Sequence, residues 1–101
     1  MKERRVRFTA TAGQHLDHER TWWFDNRDHQ ELFATEVESA VEILAILPGA
    51  GTPYLQAGLH GLRRLYLRKI VCHIYYTFND DEVIVRAVWG ARRERGPTIE
   101  E

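Results

Sequence analysis

The chain of 101 residues is poor in cysteine, methionine and proline, with one, one and three of them. A lone cysteine, Cys72, excludes an internal disulfide and hence a small disulfide-stapled secreted scaffold. Its place in a strand and the lack of an activating motif around it give the expectation of a buried, reduced core thiol and not a nucleophile. No apolar run approaches the roughly 20 residues that cross a bilayer. The start, MKERRVRFT, lacks the apolar segment of a secretory signal. A membrane is therefore excluded as a partner, and the cytoplasm is the expected location. A nucleotide cradle is missing as well. Gly49–His60 holds glycines, but neither the Gly-Lys-Ser/Thr ending nor the strand before it. It reads as a loop that folds Tyr54 or Leu55 back on the body. His15 and His18 stand three apart beside Asp17 and Glu19, yet no third ligand follows at a recognisable spacing, so no metal and no cofactor are expected.

What is present is an ordinary hydrophobic fraction, 44%, enough for a single domain with one core. The formal net charge of −1 conceals a strong polarity. Residues 1–13 carry Lys2, Arg4, Arg5 and Arg7 against Glu3. Residues 14–42 carry eight acids against Arg20 and Arg27, and residues 62–95 carry eight cations against four acids. A basic side of this kind attracts nucleic acid or an acidic partner.

Hydrophobic periodicity gives the order strand, helix, helix, strand, strand, strand. Val6 and Phe8 alternate with Arg5, Arg7 and Thr9 as a first strand. Thr9 or Thr11 caps a helix with Ala12, Leu16 and Trp23 on one stripe through about Asp25. Trp22 and Trp23 cannot both face the core. Asp28 suits the cap of a second helix whose apolar residues are Phe33, Val37, Ala40, Val41, Leu44 and Leu47, ended by Pro48-Gly49. LRRLYL is a strand, and Val71–Phe78 with Val83–Trp89 forms a hairpin around the Asn79–Glu82 turn. The expected fold is α+β, two N-terminal helices on a small antiparallel sheet, with the domain over residues 1–96 and a frayed tail at 97–101.

Side chains alternate between the faces of a strand. Alternation puts Leu65, Leu67, Cys72, Ile74, Tyr76, Phe78, Val83, Val85, Ala87 and Trp89 on a core face. Arg64, Tyr66, His73, Tyr75 and Arg86 fall on the other, with Ile84 and Val88. That second face is the candidate site. Arg64, Arg86, Arg92 and Arg93 suit bidentate phosphate contacts, Tyr66 and Tyr75 suit base stacking, and His73 titrates near neutral pH.

The segment GLRRLYLRKIVCHIYYTFNDDEVIVRAVWGARRERGP (Gly61–Pro97), preceded by LAILPGAGTPY, resembles the RelE/ParE superfamily of toxins from bacterial type II toxin–antitoxin systems, over about residues 5–97. Arg63-Arg64, His73-Ile74-Tyr75-Tyr76 and the ending Ala87–Arg93 carry the likeness. It implies two helices on an antiparallel sheet that includes the first strand, and a cognate antitoxin that wraps a helix and an extended segment around the toxin. It also implies one of two targets. RelE-like members cleave mRNA in the ribosomal A site, and Arg64, His73 and Arg92 fall where such members carry their catalytic basic residues. Tyr66 stands where another cation often lies. The usual C-terminal tyrosine would fall near Thr98, so that acid–base group is missing. ParE-like members poison DNA gyrase without a ribonuclease site, and the His-x-Tyr-Tyr run and Trp-Gly-Ala-Arg-Arg ending resemble that side more. Tyr66, Tyr75, Arg86 and Arg93 are the expected substrate or nucleic-acid binding residues. A non-enzymatic binding module is the third reading.

Overall fold

In the computed structural model, residues 2–56 and 58–99 are described. The chain runs β1 (Arg5–Phe8), α1 (Ala10–Asn26), α2 (Gln30–Ile46), a 3-10 turn (Pro48–Ala50), β2 (Thr52–Pro53), β3 (Arg63–Leu67), β4 (Cys72–Phe78) and β5 (Glu82–Gly90). The five strands form one sheet in the order β1-β5-β4-β3-β2. The two helices and the hairpin sheet stand as expected. The sheet is mixed, however, because β1 lies parallel to β5 at an edge, pairing Arg5 with Glu82 and Phe8 with Val85. Two helices and three strands intervene between β1 and its one neighbour β5, long enough to return the chain for a parallel pairing. The loop after the 3-10 turn adds the short strand β2, antiparallel to β3.

Local chemistry explains the element ends. Thr9 Oγ1 accepts from Ala12 N at 3.1 Å and starts α1, which satisfies one of the free N–H groups of its first turn. Asp28 does not cap α2. His29 takes that place without a side-chain bond, and its carbonyl is fixed by the Trp23 indole N–H at 2.9 Å. Leu47 lies just past α2 and is exposed, because Pro48 ends the helix before Leu47 can turn inward. Asn79 Oδ1 accepts from the N–H groups of Asp81 and Glu82 and closes the β4–β5 turn. Tyr54 packs back on the body, whereas Leu55 is 95% exposed.

The main core lies between the helices and the sheet: Ala12, Trp23, Phe33, Val37, Ala40 and Leu44 against Leu67, Ile70, Cys72, Ile74, Tyr76, Val83, Val85 and Val88. Alternation on β5 does not hold throughout. Tyr75 pairs with Ala87 but Tyr76 pairs with Val85, so Arg86 is an extra residue in a β-bulge. One extra residue reverses the facing of everything beyond it. Val88 therefore enters the helix-side core, and Ala87 and Trp89 turn to the opposite face. Phe78, at the end of β4, is 39% exposed and lies under the Arg4 guanidinium.

The opposite face has a small core of its own: Leu62, Tyr75, Ala87 and Ile99, with Tyr54, Leu59 and Trp89 against it. The chain from Pro97 to Ile99 was expected to fray beyond a boundary at residue 96. Ile99 is instead 5% exposed, and its carbonyl accepts from Gln56 Nε2 at 2.9 Å. Burying one aliphatic side chain and pairing one carbonyl suffices to hold a short segment. Glu100 and Glu101 lie outside the described residues.

Candidate functional site

Three regions of chemistry emerge from this frame. The first is the open sheet face. The Arg64 guanidinium lies 5.0 Å from the centre of the Tyr54 ring and 5.9 Å from that of Tyr75. His73 stands beside Tyr66 at 4.8 Å and Tyr75 at 6.0 Å, ring centre to ring centre. Arg64, Tyr66, His73 and Tyr75 are thus brought together as alternation requires, and Tyr66 is 47% exposed. Tyr75 is not available for stacking, because the Ile99 cluster covers it to 2%. Burial, with the neighbouring Arg64 charge second, lowers the pKa of His73, so its imidazole is neutral at pH 7. Its Nδ1 is buried without a hydrogen-bond partner. Arg86, at the bulge, donates from Nε to Thr77 Oγ1 at 2.9 Å.

The second region is the C-terminal rim. Arg92 does not join the open-face cluster, and Arg93 meets that face only through Trp89, the cross-strand partner of His73. Both reach α1, where Glu19 is 1% exposed. Arg92 Nη1 donates to Glu19 Oε1 at 2.5 Å. Arg93 Nη2 lies 3.1 Å from Glu19 Oε2, within ion-pair distance but not aligned as a hydrogen bond. Each guanidinium is stacked on an indole, Arg92 on Trp22 at 3.8 Å and Arg93 on Trp89 at 3.9 Å. Arg27 lies 4.8 Å from Trp22 as well. Trp89 is held by its N–H to the Arg95 carbonyl and by the edge of His15, and His15 Nδ1 accepts from the Val88 N–H at 3.3 Å. Gly90 makes room for the pair, since a Cβ there would stand 2.7 Å from Glu19 Oε1 and still closer to the Arg92 guanidinium. Burial, together with Glu19, pushes the Cys72 thiol up to about 12, which keeps it protonated and inert.

Glu19 is the residue that sequence reasoning missed. Its signal was present. Position 19 falls on the stripe of Ala12, Leu16 and Trp23, and a carboxylate on a buried stripe requires a buried cationic partner. No group of three or more His, Cys, Asp or Glu side chains suited to a metal occurs among the described residues.

The third region is a groove of about 440 Å³ between α1, α2 and β1, floored by Phe8, Leu16, Phe33, Val37 and Val41. Arg20, Glu38 and Glu42 form its rim. It is open and lined mainly by apolar side chains.

The comparisons with known proteins agree with this architecture. The profile of the ParE toxin of the parDE type II toxin–antitoxin system matches residues 6–95. No curated protein matches the chain by sequence. Among solved structures, the chain is similar to one in the chromosomal ParDE system from P. aeruginosa, with a TM-score of 0.70 at 13% identity, covering 89% of this chain and 98% of that one. It is also similar to one in the toxin–antitoxin complex RelBE2 from Mycobacterium tuberculosis, with a TM-score of 0.64 at 26% identity, covering 90% and 95%. A third, in the E. coli DinJ–YafQ toxin–antitoxin complex, gives 0.61 at 11% identity over 87% and 92%. With the profile spanning nearly the whole folded body, the chain belongs to the ParE toxin family of type II toxin–antitoxin systems, within the RelE/ParE superfamily.

Proposed function

We propose that this toxin arrests growth by poisoning DNA gyrase and does not cut mRNA on the ribosome. The observation that carries the proposal is the placement of Arg92. A RelE-like mechanism needs a base, an acid and positive charge converging on one phosphate. Here the Arg92 guanidinium is bound to Glu19 and stacked on Trp22, while His73 faces Tyr66 and Tyr75. His73 is neutral near pH 7, and no carboxylate or hydroxyl orients its Nδ1. Supply of a proton to a leaving 5′-oxygen therefore has no evident donor among Arg64, His73 and Arg92.

The cognate antitoxin is expected to place an amphipathic helix in the groove between α1 and α2. Arg20 on one wall and Glu38 and Glu42 on the other favour a helix carrying charges of both signs on either side of its apolar stripe. Expression of the toxin alone should stop growth and raise double-strand DNA breaks and a DNA-damage response, both relieved by the antitoxin. Growth arrest with intact DNA and fragmented mRNA would overturn the gyrase assignment. Full growth at high soluble expression would overturn the toxin activity itself.

A further inference from the structure

We propose that Arg92 and Arg93 form a preorganised receptor for a single carboxylate side chain of an acidic protein partner, with Glu19 as the positioning residue behind it. This site lies on the rim between α1 and the end of β5, apart from the α1–α2 groove, and does not depend on which target the toxin attacks.

An arginine carries five N–H donors in a planar fork. Among the described residues, the only hydrogen bond these two guanidinium groups give to protein is Arg92 Nη1 to Glu19. The side chains are 29% and 24% exposed, so the remaining donors border solvent. They are nonetheless fixed: Glu19 holds both from behind, and Trp22 and Trp89 hold one face of each. Trp89 is itself tied to the Arg95 carbonyl. An exposed arginine ordinarily loses rotamer freedom when it binds. Here that ordering is complete before any ligand arrives.

Charge selects the ligand. Two guanidinium groups and one carboxylate leave a net excess of one positive charge. Asp17 and Asp25 line the same outer side of α1 as Trp22, and Glu94 follows Arg93 in the chain. A nucleic-acid backbone, with its row of phosphates, would meet the Asp17 and Asp25 carboxylates beside Trp22. A lone glutamate or aspartate from a protein partner meets only the fork, whose geometry matches a carboxylate bidentately. Gly90 is part of the site, because any Cβ there would occupy the space of the Arg92–Glu19 contact.

The test follows the arginine Nε–Hε signals of 15N-labelled full-length protein during titration with a blocked Ala-Glu-Ala tripeptide, its Ala-Gln-Ala counterpart and an eight-residue oligothymidylate. The Glu tripeptide should shift the Arg92 and Arg93 signals saturably, and the Gln tripeptide should not. Arg92→Lys and Arg93→Lys keep the charge but lose the fork, and each should weaken the Glu tripeptide at least fivefold. Glu19→Gln should speed exchange of the two Nε–Hε protons with water at least tenfold while the backbone amide spectrum stays that of a folded protein. Absence of a saturable shift at both arginines would reduce the cluster to a structural clamp and overturn the proposal. Unchanged binding in both lysine variants would do the same. Tighter binding of the oligothymidylate than of the Glu tripeptide would overturn the ligand class. Unaltered proton exchange in Glu19→Gln would overturn the role of Glu19.

Discussion

Gly90→Ala is the smallest change that tests how the toxin's C-terminal rim is held. A Cβ at residue 90 would stand 2.7 Å from Glu19 Oε1 and 3.1 Å from Arg92 Cζ, well inside contact distance. Glu19 is buried in α1 and cannot retreat, so Arg92 must swing out and give up its bond to the carboxylate. A hydrogen bond to a charged group contributes about 1.5–3 kcal/mol. The lower part of that range applies, because the Arg92 side chain is 29% exposed and recovers water when released. Replacing Gly by Ala in a strand returns roughly 0.5–1 kcal/mol through the unfolded state. The net loss should be about 0.5–1.5 kcal/mol. For a domain of this size each kcal/mol moves Tm by about 4–8 °C. Thermal and urea unfolding of four proteins would measure it: the parent, Gly90→Ala, Glu19→Ala and the double variant. With Glu19 shortened, Arg92 is no longer tied over residue 90 and can move aside without giving up a bond, so Gly90→Ala should cost little or stabilise slightly in that background. Costs that simply add, within about 0.3–0.5 kcal/mol, would refute the claim that Gly90 exists to admit the pair.

Three further outcomes follow from particular contacts. Tyr76 is fully buried, donates to the Pro48 carbonyl at 2.7 Å and accepts from the Gly51 N–H at 2.9 Å; Tyr76→Phe should cost about 1–3 kcal/mol in urea unfolding, because it strands two buried backbone groups. Val71 has a φ of 53°, a strained setting for a β-branched residue, and is 43% exposed. Val71→Asn should therefore raise stability by about 1 kcal/mol, since Asn tolerates this region, and a lower Tm would contradict the strain. His15 and His73 both have pKa values lowered from 6.5 by burial. The unfolded chain then binds more protons than the folded one, so their contribution is complete above pH 6.5 and is lost as pH falls below it. Tm should drop between pH 7 and pH 5.5, and less so in His15→Gln, whose amide oxygen can still accept from Val88 without titrating.

The sequence made the order of elements legible because α2 and β4 carry a clear period. Phe33, Val37, Ala40 and Leu44 on α2 and Cys72, Ile74 and Tyr76 on β4 all repeat into the core. The facing of Ala87, Val88 and Trp89 was not legible, because a bulge leaves no mark on composition. Arg86 is an ordinary strand residue until its register is known. The open-face group of Arg64, Tyr66, His73 and Tyr75 was readable for the same reason of strand parity. Its partial closure by Ile99 was not, since one apolar residue in a polar tail has no periodicity to announce it. Arg92 and Arg93, read from the sequence as phosphate contacts with the open face, are drawn instead toward α1. The adjacent glycine, read together with a carboxylate on the buried stripe of α1, is the pattern that assigns them to Glu19.

Purified components distinguish the two targets most directly. The toxin, DNA gyrase, ATP and plasmid DNA should accumulate linear, gyrase-bound DNA in proportion to toxin, abolished by the antitoxin, while mRNA on translating ribosomes stays intact with the same preparation. Cleavage of ribosome-bound mRNA without any gyrase-dependent DNA break would contradict the account and give Arg64 and His73 a catalytic role.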